Sequence, residues 1–220
     1  MKRLTDAQKE NGLYILAGVC FLLPGIEVVP YLADFLKGTW YQNYYHNYWL
    51  FRYALPVIGY ALLSIGSFFN KPFPLAAAGY SLLAAAQVNL FIACWIVGIN
   101  TPFFGLSNAL ELAGSVCAVM LIASRHSPQK AWPHWTRDDW YVPVILFGVS
   151  VLLYTIVRTP ALIRTVLIYG EMRYELELEE TLLQYCSQTI LSFSLRFLLP
   201  LLGSYCLLRP PASGMRKDRP

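Results

Sequence analysis

Four ionisable residues, Glu27, Glu111, Arg158 and Arg196, interrupt otherwise apolar stretches of this 220-residue chain. A charge at the centre of a hydrocarbon layer costs at least about 2.5–3.5 kcal/mol, so each marks a functional candidate whose partner must be found. At the helical rise, Glu27 and Arg158 lie ~24 and ~25 Å from the edge taken as cytoplasmic, and Glu111 and Arg196 ~21 and ~20 Å. Each level holds one acid and one base. The depths predict a Glu111–Arg196 pair near mid-membrane and a Glu27–Arg158 pair nearer the outer face. Either pair could simply fix which helices are neighbours, and Arg158 could snorkel to the interface without a partner. The deeper pair could also bind a substrate, a proton or a partner.

Polar neighbours surround the deeper pair. Gln184, Gln188, Ser192 and Arg196 recur every four residues, along one side of a helix. Asn108, Glu111 and Ser115 fall within about a 60° arc at ~100° per residue. Two such stripes could stitch helices together or line a hydrated cavity. Gln87 and Asn89 point in nearly opposite directions, so both cannot face one cavity. Small residues at four-residue spacing (Ala109, Ala113 and Cys117; Ser81 and Ala85) permit close helix approach.

The elements that must position these groups follow from composition. The chain is 56% hydrophobic and 14% charged, against about 25% charged in soluble domains. Apolar stretches of about 20 residues match the length that spans a ~30 Å hydrocarbon core. The expected fold is an all-α membrane protein, a single polytopic domain over 1–220 with six spans near 13–36, 50–69, 74–98, 103–124, 141–159 and 182–208. Residues 209–220 form a basic tail. The opening MKRLTDAQKENG and LYILAGVCFLL superficially fit a signal peptide. No small-x-small cleavage site follows, which predicts an uncleaved first span.

Lys and Arg set the orientation. Placing both termini in the cytoplasm puts Lys2, Arg3, Lys9, Lys71, Arg125, Lys130, Arg137, Arg209, Arg216, Lys217 and Arg219 inside, leaving Lys37, Arg52, Arg164 and Arg173 outside. With no organelle signal, a bacterial inner membrane is the expected location. The segment 141–168 is too long for one crossing, and Thr159-Pro160 predicts a break there, because the residue before proline avoids helical geometry.

Three surface segments stand out. In WYQNYYHNYW (40–49) the aromatic rings occupy one half of a helical wheel, and Gln42, Asn43, His46 and Asn47 the other. This predicts a short amphipathic helix on the outer surface, its rings among the headgroups and its polar strip available to a partner. Glu171, Glu175 and Glu179 share one helical face before the last span, a second outer candidate for a basic partner or a cation. On the cytoplasmic side Trp132, Trp135 and Trp140 suit interface anchoring, while His126 and His134, eight apart, have no zinc-site spacing.

No Walker loop, H-E-x-x-H or G-x-S-x-G is present. The five cysteines lie in apolar stretches without C-x-x-C, and no basic patch interleaved with aromatics suits nucleic acid. No catalytic residue, cofactor or metal ligand is assigned. The leading expectation is a non-enzymatic membrane protein acting through the bilayer and a membrane-protein partner or second copy, as an accessory, assembly, sensing or immunity-type component. The alternative is a small oligomeric transporter with an intramembrane Glu111/Arg196 site, since proline-broken helices at Pro24, Pro30, Pro160 and Pro200 suit such sites. A lipid-modifying enzyme assembled from distant helices is the third reading.

Overall fold

The structure, a computed structural model, describes residues 6–37, 46–69, 73–95, 102–126, 135, 137–176 and 179–210. Side chains are described in these ranges except at 6–7, 46–50, 93–95, 102–104, 137, 158, 161–162, 165–166, 168–176 and 179–185. Among the described residues the chain is helical throughout. The helices are α1 (Asp6–Leu36), α2 (His46–Phe68), α3 (Phe73–Trp95), α4 (Pro102–His126), α5 (Tyr141–Leu176), α6 (Glu179–Phe193) and α7 (Leu199–Leu208). A 3-10 turn, Arg137–Trp140, leads into α5, and a π-helical turn, Ser194–Leu198, joins α6 to α7. Six helical segments are long and apolar enough to cross a bilayer, the last running from Cys186 to Leu208 through the π turn. This is a multi-pass, six-span, all-α membrane architecture. Helices satisfy their backbone groups internally, which hydrocarbon demands.

Helices adjacent in sequence pack side by side from α1 to α5, and α7 closes the ring against α1. The exception is the α5–α6 pair, which barely touches. One end of the bundle is packed shut. Phe21, Leu63, Tyr80, Leu121 and Leu208 are fully buried there in one continuous cluster. The Phe21 ring stacks on Tyr60 at 6.5 Å between centroids and meets Tyr80 edge-on at 6.3 Å. The Tyr80 hydroxyl donates to Ser204 Oγ at 2.9 Å, tying α3 to α7 through the centre. Arg125, in the last turn of α4, donates to the Leu208 carbonyl at 2.7 Å, capping an orphan acceptor at the end of α7.

Two glycines set the α2–α3 distance. A Cβ on Gly79 would stand 2.7 Å from Leu63 Cγ and 2.9 Å from the Gly59 carbonyl oxygen, and one on Gly59 would stand 3.1 Å from the Gly79 carbonyl. The backbones touch where no side chain fits. Between α4 and α5, Ser107 Oγ donates to Ser150, whose hydroxyl is 2.8 Å and carbonyl 3.1 Å away, while the single Ser150 hydroxyl proton has two acceptors within 3.0 Å, the Ser107 carbonyl and Glu111 Oε1.

Two features depart from the sequence expectation. First, α5 does not break at Thr159-Pro160 but runs unbroken for 36 residues, or ~54 Å. Thr155 Oγ1 donates to the Val151 carbonyl and Thr159 Oγ1 to the Thr155 carbonyl. Neither hydroxyl reaches the Ile156 carbonyl, the one that Pro160 leaves without an N–H; proline is nonetheless tolerated in membrane helices, where local adjustment and neighbours take up the freed group. Second, His46–Trp49 form the first turn of α2 rather than the end of a separate surface helix; Trp40 to Tyr45, with Gln42 and Asn43, lie outside the described residues, as do the side chains of His46 and Asn47. Trp140 packs edge-on against Tyr205 at 5.5 Å, and Trp135 and Trp140 both rest on the closed-end core. Glu171 and Glu175 fall in the last turns of α5 and Glu179 opens α6, but their side chains are outside the described set.

Candidate functional site

Beyond the closed end the bundle loosens around polar side chains. A cavity of about 360 Å³ lies among α1, α2, α3, α4, α5 and the π turn. Glu27 enters it from α1, Arg52 and Tyr60 from α2, Gln87 from α3, Asn108 and Glu111 from α4, Tyr154 from α5 and Arg196 from the π turn. Toward the closed end it continues into a void of about 50 Å³ that shares Tyr60, Gln87, Glu111 and Arg196 and adds Ser115. Phe21 and Tyr80 floor that void.

Arg196 owes its place to backbone irregularity. Pro200 has no N–H for the Arg196 carbonyl, and its ring crowds that carbonyl in an α-helix. The helix widens instead, and Leu199 N–H donates to the Ser194 carbonyl, five residues back. One extra residue in a turn rotates everything before it by about 100° relative to everything after. Single π turns of this kind occur frequently at functional sites.

The ion pairing corrects the sequence expectation. Arg196 pairs with Glu27, Nε to Oε2 at 4.0 Å, and not with Glu111. The pair is asymmetric, since the Glu27 side chain is 13% exposed and that of Arg196 43%. Glu27 Oε1 accepts from Ser192 Oγ at 3.2 Å, one turn before Arg196. Glu111 is held by neutral donors: Gln87 Nε2 donates to Oε2, and Ser150 Oγ donates to Oε1 at 3.0 Å. The Glu27–Arg158 expectation rests on a side chain outside the described residues.

Two buried acceptors in the cavity lining lack a hydrogen-bond donor among the described residues, Glu27 Oε2 and Gln87 Oε1. Leaving such atoms without a donor costs about 1–3 kcal/mol each, and both are buried, so a donor reaches them only when the lining side chains shift. The volume suffices for about a dozen waters at ~30 Å³ apiece, and it falls within the ~300–1,000 Å³ of small-molecule sites. The arrangement can recognise charge of both signs: Glu27 and Gln87 offer acceptors to an N–H or O–H donor, and Arg196 offers its terminal N–H fork to an anion. The lining also carries the carboxylates of Glu27 and Glu111 and the phenols of Tyr53, Tyr60 and Tyr154, groups able to act as acids, bases or nucleophiles.

Of the residues singled out from sequence, Glu27, Asn108, Glu111 and Arg196 converge on this cavity and Ser115 on the void beneath it. Gln188 and Ser192 face a separate groove between α5 and α6. Arg52, Tyr60, Ser150 and Tyr154 were not signalled as site residues. Arg52 could have been, as a charge just inside the apolar start of the second span. The chain matched no protein-family model, no curated protein and no solved structure in comparisons with known proteins.

Proposed function

We propose that this chain is a small membrane transporter whose substrate site is the cavity containing Glu27, Arg196 and Glu111. The observation that carries this reading is a lined space of about 360 Å³ holding the Glu27–Arg196 ion pair, a second carboxylate in Glu111, and the Gln87 Oε1 acceptor without a hydrogen-bond donor among the described residues, above an aromatic floor. A scaffold needs no such space; burying an ion pair without filling its surroundings destabilises a fold relative to apolar packing. A site closed at one end and looser at the other suits one state of an alternating-access cycle. The closed end faces the cytoplasm in this proposal, following the Lys/Arg bias, with both termini inside and the chain in a bacterial inner membrane.

The test is flux in proteoliposomes for a panel of zwitterions and organic anions, the wild type against Arg196→Ala. Uptake of one class that is lost in the variant supports the assignment. No flux for any class, together with stoichiometric co-purification of a second membrane protein, returns the chain to an accessory role. Reporter fusions at both ends check the orientation, and a periplasmic signal from either end overturns it.

A further inference from the structure

Arg196 belongs to two spaces at once. Besides the central cavity, it lines a groove of about 400 Å³ that opens where α5 and α6 part. Hydroxyl and amide groups run along the groove: Thr155 and Thr159 on α5, Gln188, Thr189 and Ser192 on α6. Ile190, exposed to the surroundings, lines it too, and Ile156 and Leu191, each next in sequence to a groove residue, are also exposed. The partition between groove and cavity is aromatic. Tyr154 and Phe197 contact both spaces, with ring centroids 4.2 Å apart, and Phe193 lies 5.5 Å from Phe197 on the groove side.

We infer that the groove is a lateral entrance for an amphiphile from the bilayer, whose anionic headgroup binds Arg196 while its hydrocarbon chain lies between α5 and α6. This deepens the transport reading and rests on the cavity being a substrate site. Three observations select the occupant. An arginine and the Gln188 amide beside the exposed Ile190 match a molecule with a polar head and an oily tail, whereas a docked apolar helix would set the half-exposed Arg196 against hydrocarbon. The charge is complementary: Arg196 is the more exposed member of its pair, and Glu27 approaches only Nε. The terminal fork therefore remains for the two oxygens of a phosphate or carboxylate. Finally, the groove and the cavity share Tyr154, Arg196 and Phe197 in their linings, so the two rings and the arginine are what a headgroup would displace in passing from one to the other. Arg196 is thus a binding residue on both sides of an aromatic gate.

The experiment uses the full chain in nanodiscs, with phosphatidic acid or phosphatidylcholine carrying the same photoreactive acyl chain, and adducts mapped by mass spectrometry. Phosphatidic acid should label residues 154–159 and 186–193 at least about tenfold more than phosphatidylcholine. Arg196→Gln should abolish the preference and Arg196→Lys should keep part of it. Thr189→Trp should remove groove labelling while leaving labelling around the exposed Ile58 and Ile65 of α2 unchanged. Equal labelling by both lipids, a preference that survives Arg196→Gln, or labelling spread evenly around the bundle overturns the inference. So does loss of the label to millimolar inorganic phosphate or glycerol phosphate, which assigns the anion to the aqueous phase. Labelling requires no flux, so a specific adduct without transport retains the entrance and removes the transporter. Flux of a water-soluble solute that ignores Thr189→Trp does the reverse.

Discussion

Arg196 Nε stands 4.0 Å from Glu27 Oε2, joining the middle of α1 to the π turn of the last span. Glu111 lines the same cavity but takes its hydrogen bonds from Gln87 and Ser150. The two carboxylates are therefore held differently. Glu111 has both oxygens satisfied by neutral donors on α3 and α5, which fixes it. Glu27 has one oxygen on Ser192 and one facing a guanidinium without a hydrogen bond. A ligand that brings an anion to Arg196 and a donor to Glu27 can loosen this pair and so move α1 against the last span.

Pair breaking should distinguish the partners. Arg196→Gln is expected to destabilise the detergent-solubilised protein by about 1–3 kcal/mol, between the ~0–1 of exposed pairs and the ~3–5 of buried ones, because Arg196 is half-exposed. The double swap Glu27→Arg with Arg196→Glu should recover most of that loss in SDS-unfolding titrations. The swap Glu111→Arg with Arg196→Glu should recover none. Rescue by the second swap and not the first would overturn the pairing.

Ser150 serves Glu111 and Ser107 together, so its removal should affect both stability and the site. Ser150→Ala is expected to cost about 1 kcal/mol, within the range measured for interhelical hydrogen bonds in membranes. It should also weaken substrate binding several-fold, because Glu111 Oε1 loses its donor. Ser107→Ala should cost similar stability with a smaller effect on binding, as Ser107 does not touch Glu111. Thermal melting and a binding isotherm on the same samples separate the two effects.

Helix number was legible from sequence because membrane spans are long, apolar and separated by polar turns. Which charge meets which was not. Depth counting placed Glu27 and Arg196 on levels ~4 Å apart, less than the reach of an arginine side chain, so level alone could not exclude that pair. Azimuth decides, and azimuth depends on the ring order and on the widened turn at Ser194–Leu198, neither of which periodicity reveals. The stripe Asn108–Glu111–Ser115 was legible because α4 is regular, and its members line the cavity or the void beneath it. The expected break at Thr159-Pro160 does not occur, since membrane helices tolerate an interior proline that a water-exposed helix would not.

Glycine contacts between α2 and α3 make a sharp stability test. Gly79→Ala would drive a methyl against the Gly59 carbonyl, a backbone atom that cannot rotate away. The helices must separate, at about 1–3 kcal/mol for overpacking, and the melting temperature should fall. Gly148→Ala is the control, because a Cβ there meets nothing within 4 Å. It should be neutral or slightly stabilising, as alanine is the better helix former. Equal melting of the two variants would reject the close approach.

Pro200 provides the test of the irregular turn itself. Pro200→Ala restores the N–H that an α-helix would give to the Arg196 carbonyl and removes the ring that crowds it. The last span should then relax toward regular geometry, turning Arg196 away from Glu27 by up to about 100°. Proline is the poorest helix former by about 3 kcal/mol, so the variant should melt at the same temperature or higher while transport falls at least about tenfold. Cysteines introduced together in place of Glu27 and Arg196 should crosslink readily when Pro200 is kept and poorly when Pro200→Ala is added. Loss of stability alongside loss of transport would mean the π turn is a packing necessity; stability kept with transport lost identifies it as the element that presents Arg196 to the substrate.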